Sequence, residues 1–223
     1  MEEVITNWFL GLAFEPTKVY LTVVVMMLLS GFGLPIPEEV TLVSGGLLAY
    51  MGAHPEAYPP PYPGAPVVDP ITLAVVSFGA VVFSDLLVFM IGRIFGARLR
   101  QSPRFNRIVK PQVFSKVEKW VGKYGVWMAA GFRFTPGVRF PGHIVCGMFG
   151  IPIWLFLLMD GMAALISVPT QILLIAHYGE VILGKIKDFK LILLAVAAVF
   201  LVFYVGRRLW RWWRSRSNTA PEI

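Results

Sequence analysis

Cysteine is nearly absent from this chain. Cys146 stands alone among 223 residues, which excludes an intramolecular disulfide and a thiolate metal cluster. Between Val145 and Gly147-Met148 it reads as a small, inert packing residue. Histidine is scarce as well. His54, His143 and His177 lie far apart, without ligand spacing, so neither a metal nor another cofactor is expected. Charged residues make up only 15% of the chain, against about 25% in soluble proteins. Acids are the scarcer sign, 13 against 20 Lys and Arg. The start, Met1-Glu2-Glu3, lacks the basic region and small-residue cleavage site of a signal peptide. The N-terminus is therefore expected to be kept.

What fills the chain is apolar. Hydrophobic residues reach 57%, against roughly 45–50% in soluble globular proteins. One soluble core of this size could not hide that surface, and disordered chains have the opposite composition. The class this leaves is an all-α integral membrane protein. Its charge distribution predicts an orientation. Residues 93–123 carry nine Lys or Arg against Glu118 alone, a net of +8. The tail 207–223 carries five Arg against Glu222, a net of +4. Loop 51–70 has no Lys or Arg. The positive-inside rule puts 93–123 and the C-terminus in the cytoplasm and 51–70 outside. These basic stretches flank apolar spans, so lipid headgroups and topology account for them better than nucleic acid does. Interleaved Trp and Arg in Leu209-Trp210-Arg211-Trp212-Trp213-Arg214 suit a membrane–water interface.

A membrane-crossing helix needs about 20 apolar residues. Residues 71–92 and 151–176 qualify, and 190–206 nearly do. Two other apolar segments are interrupted. Segment 19–50 breaks at Gly33-Leu34-Pro35-Ile36-Pro37-Glu38-Glu39. Segment 126–150 breaks at Arg133-Phe134-Thr135-Pro136-Gly137-Val138-Arg139. Broken backbone is tolerated in a bilayer only where protein or a water-filled cavity covers it. Such pairs in corresponding positions of two halves point to a transporter site. The pattern predicts two re-entrant hairpins, 19–50 and 126–150, each followed by a span and oppositely oriented as an inverted repeat. Residues 1–18 predict an interfacial helix, 19–206 one membrane domain, and 207–223 a basic tail. The Pro-rich stretch 54–66 predicts an extended spacer.

Ionisable groups inside a bilayer cost roughly 2.5–3.5 kcal/mol each at a helix centre on insertion scales. The set here is Glu38, Glu39, Asp85, Arg133, Arg139 and Asp160. The cost nearly cancels if the two hairpin tips meet, with Glu39 facing Arg133 or Arg139. An ion-pair staple between the halves would satisfy this. A staple needs only one pair, whereas two arginines around a Pro-Gly break suit an anion. Arg grips phosphate bidentately, and freed N–H groups around Pro136 and Gly137 add positive potential. A buried Glu beside them could load and release a proton. Asp85 could reach the site, and His143 and Asp160 are further candidates.

Three motifs in order resemble the DedA family, the bacterial branch of the superfamily also called VTT or SNARE-associated. They are Pro35-Ile36-Pro37-Glu38-Glu39, Ser84-Asp85 through Gly92-Arg93 and Gly96, and Phe132-Arg133-Phe134-Thr135-Pro136-Gly137-Val138-Arg139. The resemblance covers roughly residues 20–180. It implies re-entrant hairpins meeting at mid-membrane. It implies movement of lipids such as undecaprenyl phosphate or phosphatidylethanolamine, driven by the proton motive force in the bacterial cytoplasmic membrane. It also implies that Glu39, Arg133 and Arg139 are essential. Ser30 stands where many members carry a Glu, and Glu38 is an extra acid that could substitute. The expected partners are a phosphate-bearing lipid, protons and the membrane, with a homo-oligomer left open. Arg133, Arg139, Pro136 and Gly137 would bind the phosphate, and Glu39, Glu38 and Asp85 would handle the proton. A proton-coupled small-ion or drug carrier is the alternative. A membrane lipid phosphatase is disfavoured for want of a nucleophile or His pair with acid–base spacing, so no enzymatic activity is expected.

Overall fold

The computed structural model describes residues 10–33, 38–102, 110–135 and 138–183. Every long element among them is a helix. In chain order they are α1 (Pro16–Gly31), α2 (Glu38–Ala53), α3 (Pro70–Gln101), α4 (Pro111–Tyr124), α5 (Trp127–Arg133), α6 (Arg139–Met148) and α7 (Ile153–His177). All seven belong to one compact unit that ends at Gly179. A second unit begins at Glu180, and its described residues 180–183 are helical. The expected span 190–206, the tail 207–223 and residues 1–9 of the expected interfacial helix lie outside the described residues. Residues 10–12 are helical and end in a turn before Glu15.

The chain's punctuation explains the helix ends. Pro16, Pro70 and Pro111 open α1, α3 and α4, where the missing N–H costs nothing and φ is already set. Asp69 caps α3 by accepting the Thr72 N–H at 2.6 Å, and the Thr72 hydroxyl first and then this N–H hold its carboxyl below the usual carboxylate range. Glycines at positive φ (Gly33, Gly125 and Gly150) follow α1, α4 and α6. Glu38 and Glu39 open α2, where two carboxylates complement the helix dipole.

Two helices, Pro70–Gly96 within α3 and Ile153–His177, are long and apolar enough to cross a membrane. Only 28% of the most apolar stretch of α7 is buried within the protein. Trp154, Leu158, Met162, Leu165, Ile166, Leu173 and Leu174 all face outward, which is the surface of a helix bathed in lipid and not of a soluble core. At 16 residues each, α1 and α2 are about 24 Å long, short of the ~30 Å hydrocarbon thickness.

Both interrupted segments form helix–break–helix units: α1 and α2 around 32–37, and α5 and α6 around 134–138. The packing has a two-fold character. The first arm of each unit packs on the long helix that follows it, α1 on α3 and α5 on α7. The second arm packs extensively on the other unit's long helix, α2 on α7 and α6 on α3. The described residues of the basic stretch 93–123 are largely helical. Helix α3 runs on to Gln101, and α4 buries Phe114, Val117 and Val121 while Lys116, Lys119 and Lys123 face out. The Pro-rich stretch also departs from a simple spacer. It turns at 55–57 and 63–64, and His54 and Tyr58 pack on Tyr50 with ring centroids 4.2 and 6.2 Å away.

The α3–α6 crossing rests on two reciprocal glycines. A Cβ on Gly92 would collide with the Ile144 backbone, and one on Gly147 with the Phe89 carbonyl and the Arg93 amide. Around the crossing, Phe89 stacks on Phe156 with centroids 4.3 Å apart, and Cys146 is fully buried in the same core. Gly147→Ala is expected to lower stability by about 1–3 kcal/mol or more, since backbone cannot yield as a side chain can. Gly161→Ala, whose Cβ meets nothing within 4 Å, should be neutral or add up to ~1 kcal/mol. Thermal unfolding of the purified chain measures both.

Candidate functional site

Six ionisable side chains from five helices meet in one cluster. Arg133, the last residue of α5, sits at its centre with 4% of its side chain exposed. Its Nη1 donates to Asp85 Oδ2 on α3 at 3.1 Å. Its Nη2 donates to Glu38 Oε1 on α2 at 3.0 Å, and its Nε to Ser167 Oγ on α7 at 2.9 Å. Asp160 Oδ1 of α7 lies 3.7 Å from Nη1. Arg139 opens α6 and grips Asp85 bidentately, Nε to Oδ1 at 3.0 Å and Nη2 to Oδ2 at 2.6 Å. Its Nη1 pairs with Glu38. Glu38 and Asp85 each therefore bridge both guanidiniums.

A third layer lies behind the arginines. His143, one turn along α6 from Arg139, is completely buried. Its Nδ1 is 3.3 Å from Asp85 Oδ1 and its Nε2 3.5 Å from Asp160 Oδ1. Phe156 meets the ring edge-on at 5.1 Å. Exposure is graded across the cluster. Asp85 and Asp160 are sealed at 1% and 0%, while Arg139 and Glu38 keep 18% and 13%. The open side is that of Glu38 and Arg139, the first residues of α2 and α6.

The expected residues are thus brought together unevenly. Arg133, Arg139, Asp85, Asp160, His143 and Glu38 form the cluster. Glu39 does not join it. It is exposed on the first turn of α2, and Glu38 takes the contacts with Arg133 and Arg139 that the sequence suggested for Glu39. The physical reason is helix phase, since adjacent helical residues point about 100° apart. Pro136 and Gly137 lie outside the described residues. Ser167 was missed by the sequence reading, and nothing in its local pattern singled it out. Arg93, in the second motif, serves a turn and not the cluster, its Nη1 donating to the Ile151 carbonyl at 3.0 Å.

Asp85, His143 and Asp160 hold ligand-type atoms within 4.8 Å of one another. The donor set nevertheless fits ion pairs better than a metal. Arg139 already takes both Asp85 oxygens, and Arg133 stands against Asp85 and Asp160, so a cation there would face two guanidiniums.

A family model, described as the VTT domain, matches residues 3–181. The chain belongs to the VTT-domain, or DedA, family. A Haemophilus influenzae protein named an uncharacterized membrane protein is 35% identical over 156 residues, 70% of this chain and 68% of that one. An inner membrane protein of Borreliella burgdorferi is 27% identical over 82% of this chain and 83% of its own. A Lactococcus lactis protein named alkaline phosphatase-like is 24% identical over 91% and 92%. No solved structure matches. The chain is a membrane protein, as its two membrane-length apolar helices and the names of the first two relatives agree.

Removing one member of a buried charge cluster strands the others, a cost of about 3–5 kcal/mol where the pair is fully desolvated. Arg133→Leu is expected to destabilise the protein on that scale. Arg139→Leu, at the open edge, should cost clearly less. Chemical or thermal unfolding in a mild detergent gives the comparison, and equal losses would contradict the graded burial.

Proposed function

We propose that this VTT-domain protein is a membrane transporter that moves a phosphate-bearing lipid across the bacterial cytoplasmic membrane. The observation that carries the reading is the meeting of two guanidiniums and three carboxylates where the two helix–break–helix units converge on the long apolar helices. Asp85 falls near the middle of the apolar stretch Pro70–Gly96. A mere staple would need one pair, and buried ion pairs are seldom retained for stability alone. Two arginines bridged by shared carboxylates form an exchangeable anion site, in which a phosphate can replace Glu38 on Arg139. Arg suits this role because its fork matches phosphate oxygens bidentately.

In this reading the α1–α2 and α5–α6 units are re-entrant hairpins of an inverted repeat, in keeping with the short α1 and α2 and the exchanged packing on α3 and α7. Exposed Phe32, Val40 and Phe134 flank the breaks and would let acyl chains remain in lipid while the headgroup enters the polar cleft. Loop 51–70 would lie outside and 93–123 within the cytoplasm. Undecaprenyl phosphate and phosphatidylethanolamine are the lipids to try, with protons as the coupling ion and Glu38 in the tip acid's role. The alkaline phosphatase-like name of one relative stays with that relative. Here His143 faces Asp85 and Asp160 behind the arginines, an arrangement for holding charge and not for attacking a phosphate.

The test is leaflet exchange of labelled polyprenyl phosphate and labelled phosphatidylethanolamine in liposomes containing the purified chain, with and without a pH gradient. Exchange of one of them, accelerated by the gradient, is expected. Arg133→Lys and Arg139→Lys should each slow it at least ~10-fold, as loss of charge-assisted hydrogen bonds worth about 1.5–3 kcal/mol implies. Folded protein that moves neither lipid would sink the proposal and favour a small-ion or drug carrier. Glu38→Gln should reduce exchange more than Glu39→Gln, and the reverse order would return the tip role to Glu39.

A further inference from the structure

The charges of the cluster do not balance. Glu38, Asp85 and Asp160 supply three negative charges, and Arg133 and Arg139 two positive ones. If every group keeps its ordinary charge, a sealed site retains one uncompensated negative charge, which is costly in a medium of low dielectric. The imbalance is local. Glu38 and Asp85 are both spanned by the two arginines, whereas Asp160 has Arg133 at 3.7 Å and no hydrogen bond of good geometry to either oxygen. His143 is the neighbouring group, and neither of its nitrogens makes a good hydrogen bond. Two fully buried polar side chains thus face each other with open valences. One proton would satisfy both needs.

We propose that Asp85, His143 and Asp160 share a single proton, with the His143 ring bridging the two carboxylates, and that this trio is the site's proton store. The groups around the trio are Arg133 and the Ala129 backbone from α5, Arg139 and Cys146 from α6, the latter beside Asp160, and Phe156 from α7. Glu38 from α2 reaches the trio through the arginines. Groups this close titrate as a unit, so the proton belongs to the trio and not to one atom. A divalent cation in the same place would overcompensate the charge and press on both guanidiniums. The trio lies behind Arg133 and Arg139, at the sealed end of the cluster. A proton there neutralises Asp160 and leaves the arginines balanced by Glu38 and Asp85 alone. An arriving phosphate can then displace Glu38 without leaving the sealed side negative. Phosphate binding and proton uptake therefore favour one another.

This proposal draws its meaning from the transport reading, but its first test needs no substrate. The full chain in phosphatidylcholine nanodiscs is titrated potentiometrically and compared with Asp160→Asn. Near neutral pH the wild type is expected to bind one more proton than the variant. In a merely structural role Asp160 is ionised at that pH, and the counts are equal. If Asp160→Asn does not fold, the wild type still decides. Its ¹⁵N-histidine spectrum and the infrared band of protonated carboxyl groups together report either an imidazolium at His143 or a neutral acid beside it. A neutral ring with no protonated carboxyl overturns the proposal. Where the wild type shows an imidazolium, His143→Gln should move the proton onto a carboxylate and strengthen that infrared band, and an unchanged band would remove the ring from the trio. In a second step inorganic phosphate, then a short-chain lipid phosphate, is added to weakly buffered wild type. Proton uptake with either supports the linkage. Binding without uptake overturns the linkage and leaves the transport reading standing. Absence of phosphate binding, with the proton count intact, sinks the phosphate site and leaves the trio.

Discussion

Everything in this protein is arranged around the cost of holding charge away from water. Asp85, sealed inside a long apolar helix, cannot be tolerated alone. Arg139 answers it with a bidentate grip, and Arg133 answers it from another helix. Each arginine in turn needs more than one acceptor, and Glu38 serves both. The requirement reaches α2, α3, α5, α6 and α7 at once. None of these helices can leave the cluster without stranding a charge, so the cluster ties the two helix–break–helix units together more firmly than apolar contact could in a lipid solvent, where tails compete on equal terms.

Close backbone packing is what lets those charges meet. The reciprocal glycines at the α3–α6 crossing bring the two helices into backbone contact. Asp85 lies about two turns from Gly92 along α3 and His143 one turn from Gly147 along α6, so the crossing sets the distance between the carboxylate and the ring. The aromatic pair Phe89 and Phe156 closes the same region against α7. Packing and electrostatics are here one device, in which small residues permit the approach and charged ones need it.

Much of this was legible in the sequence, and the reasons differ residue by residue. Arg133, Arg139 and Asp85 announce themselves because charge in an apolar context is rare. The interrupted helices show because Pro and Gly are local signals, readable without tertiary knowledge. The long helices follow from length and composition alone. Other features depend on phase or on distant partners. Glu38 and Glu39 are adjacent, and which one faces the arginines is decided by the rotation of α2 about its axis. Helix α4 escaped notice because its apolar stripe of Val113, Phe114, Val117, Trp120 and Val121 lies in a stretch whose Lys and Arg drew the reading toward charge. Ser167 and the Arg93–Ile151 bond are long-range contacts that no local pattern encodes. The glycines at 92 and 147 read as ordinary until their partners are known.

The position of the glycine crossing has a mechanical consequence. A contact between two backbones has no side chains to shear, so it behaves as a fulcrum. Asp85 is seven residues from Gly92, a lever arm of ~10 Å, whereas Pro70 at the far end of α3 is ~33 Å away at 1.5 Å per residue. A tilt of ~10° about that point carries the end of the helix ~6 Å and the carboxylate under ~2 Å. The charges sit on the short arm, so any tilt about the crossing moves Asp85 only about a third as far as the helix end.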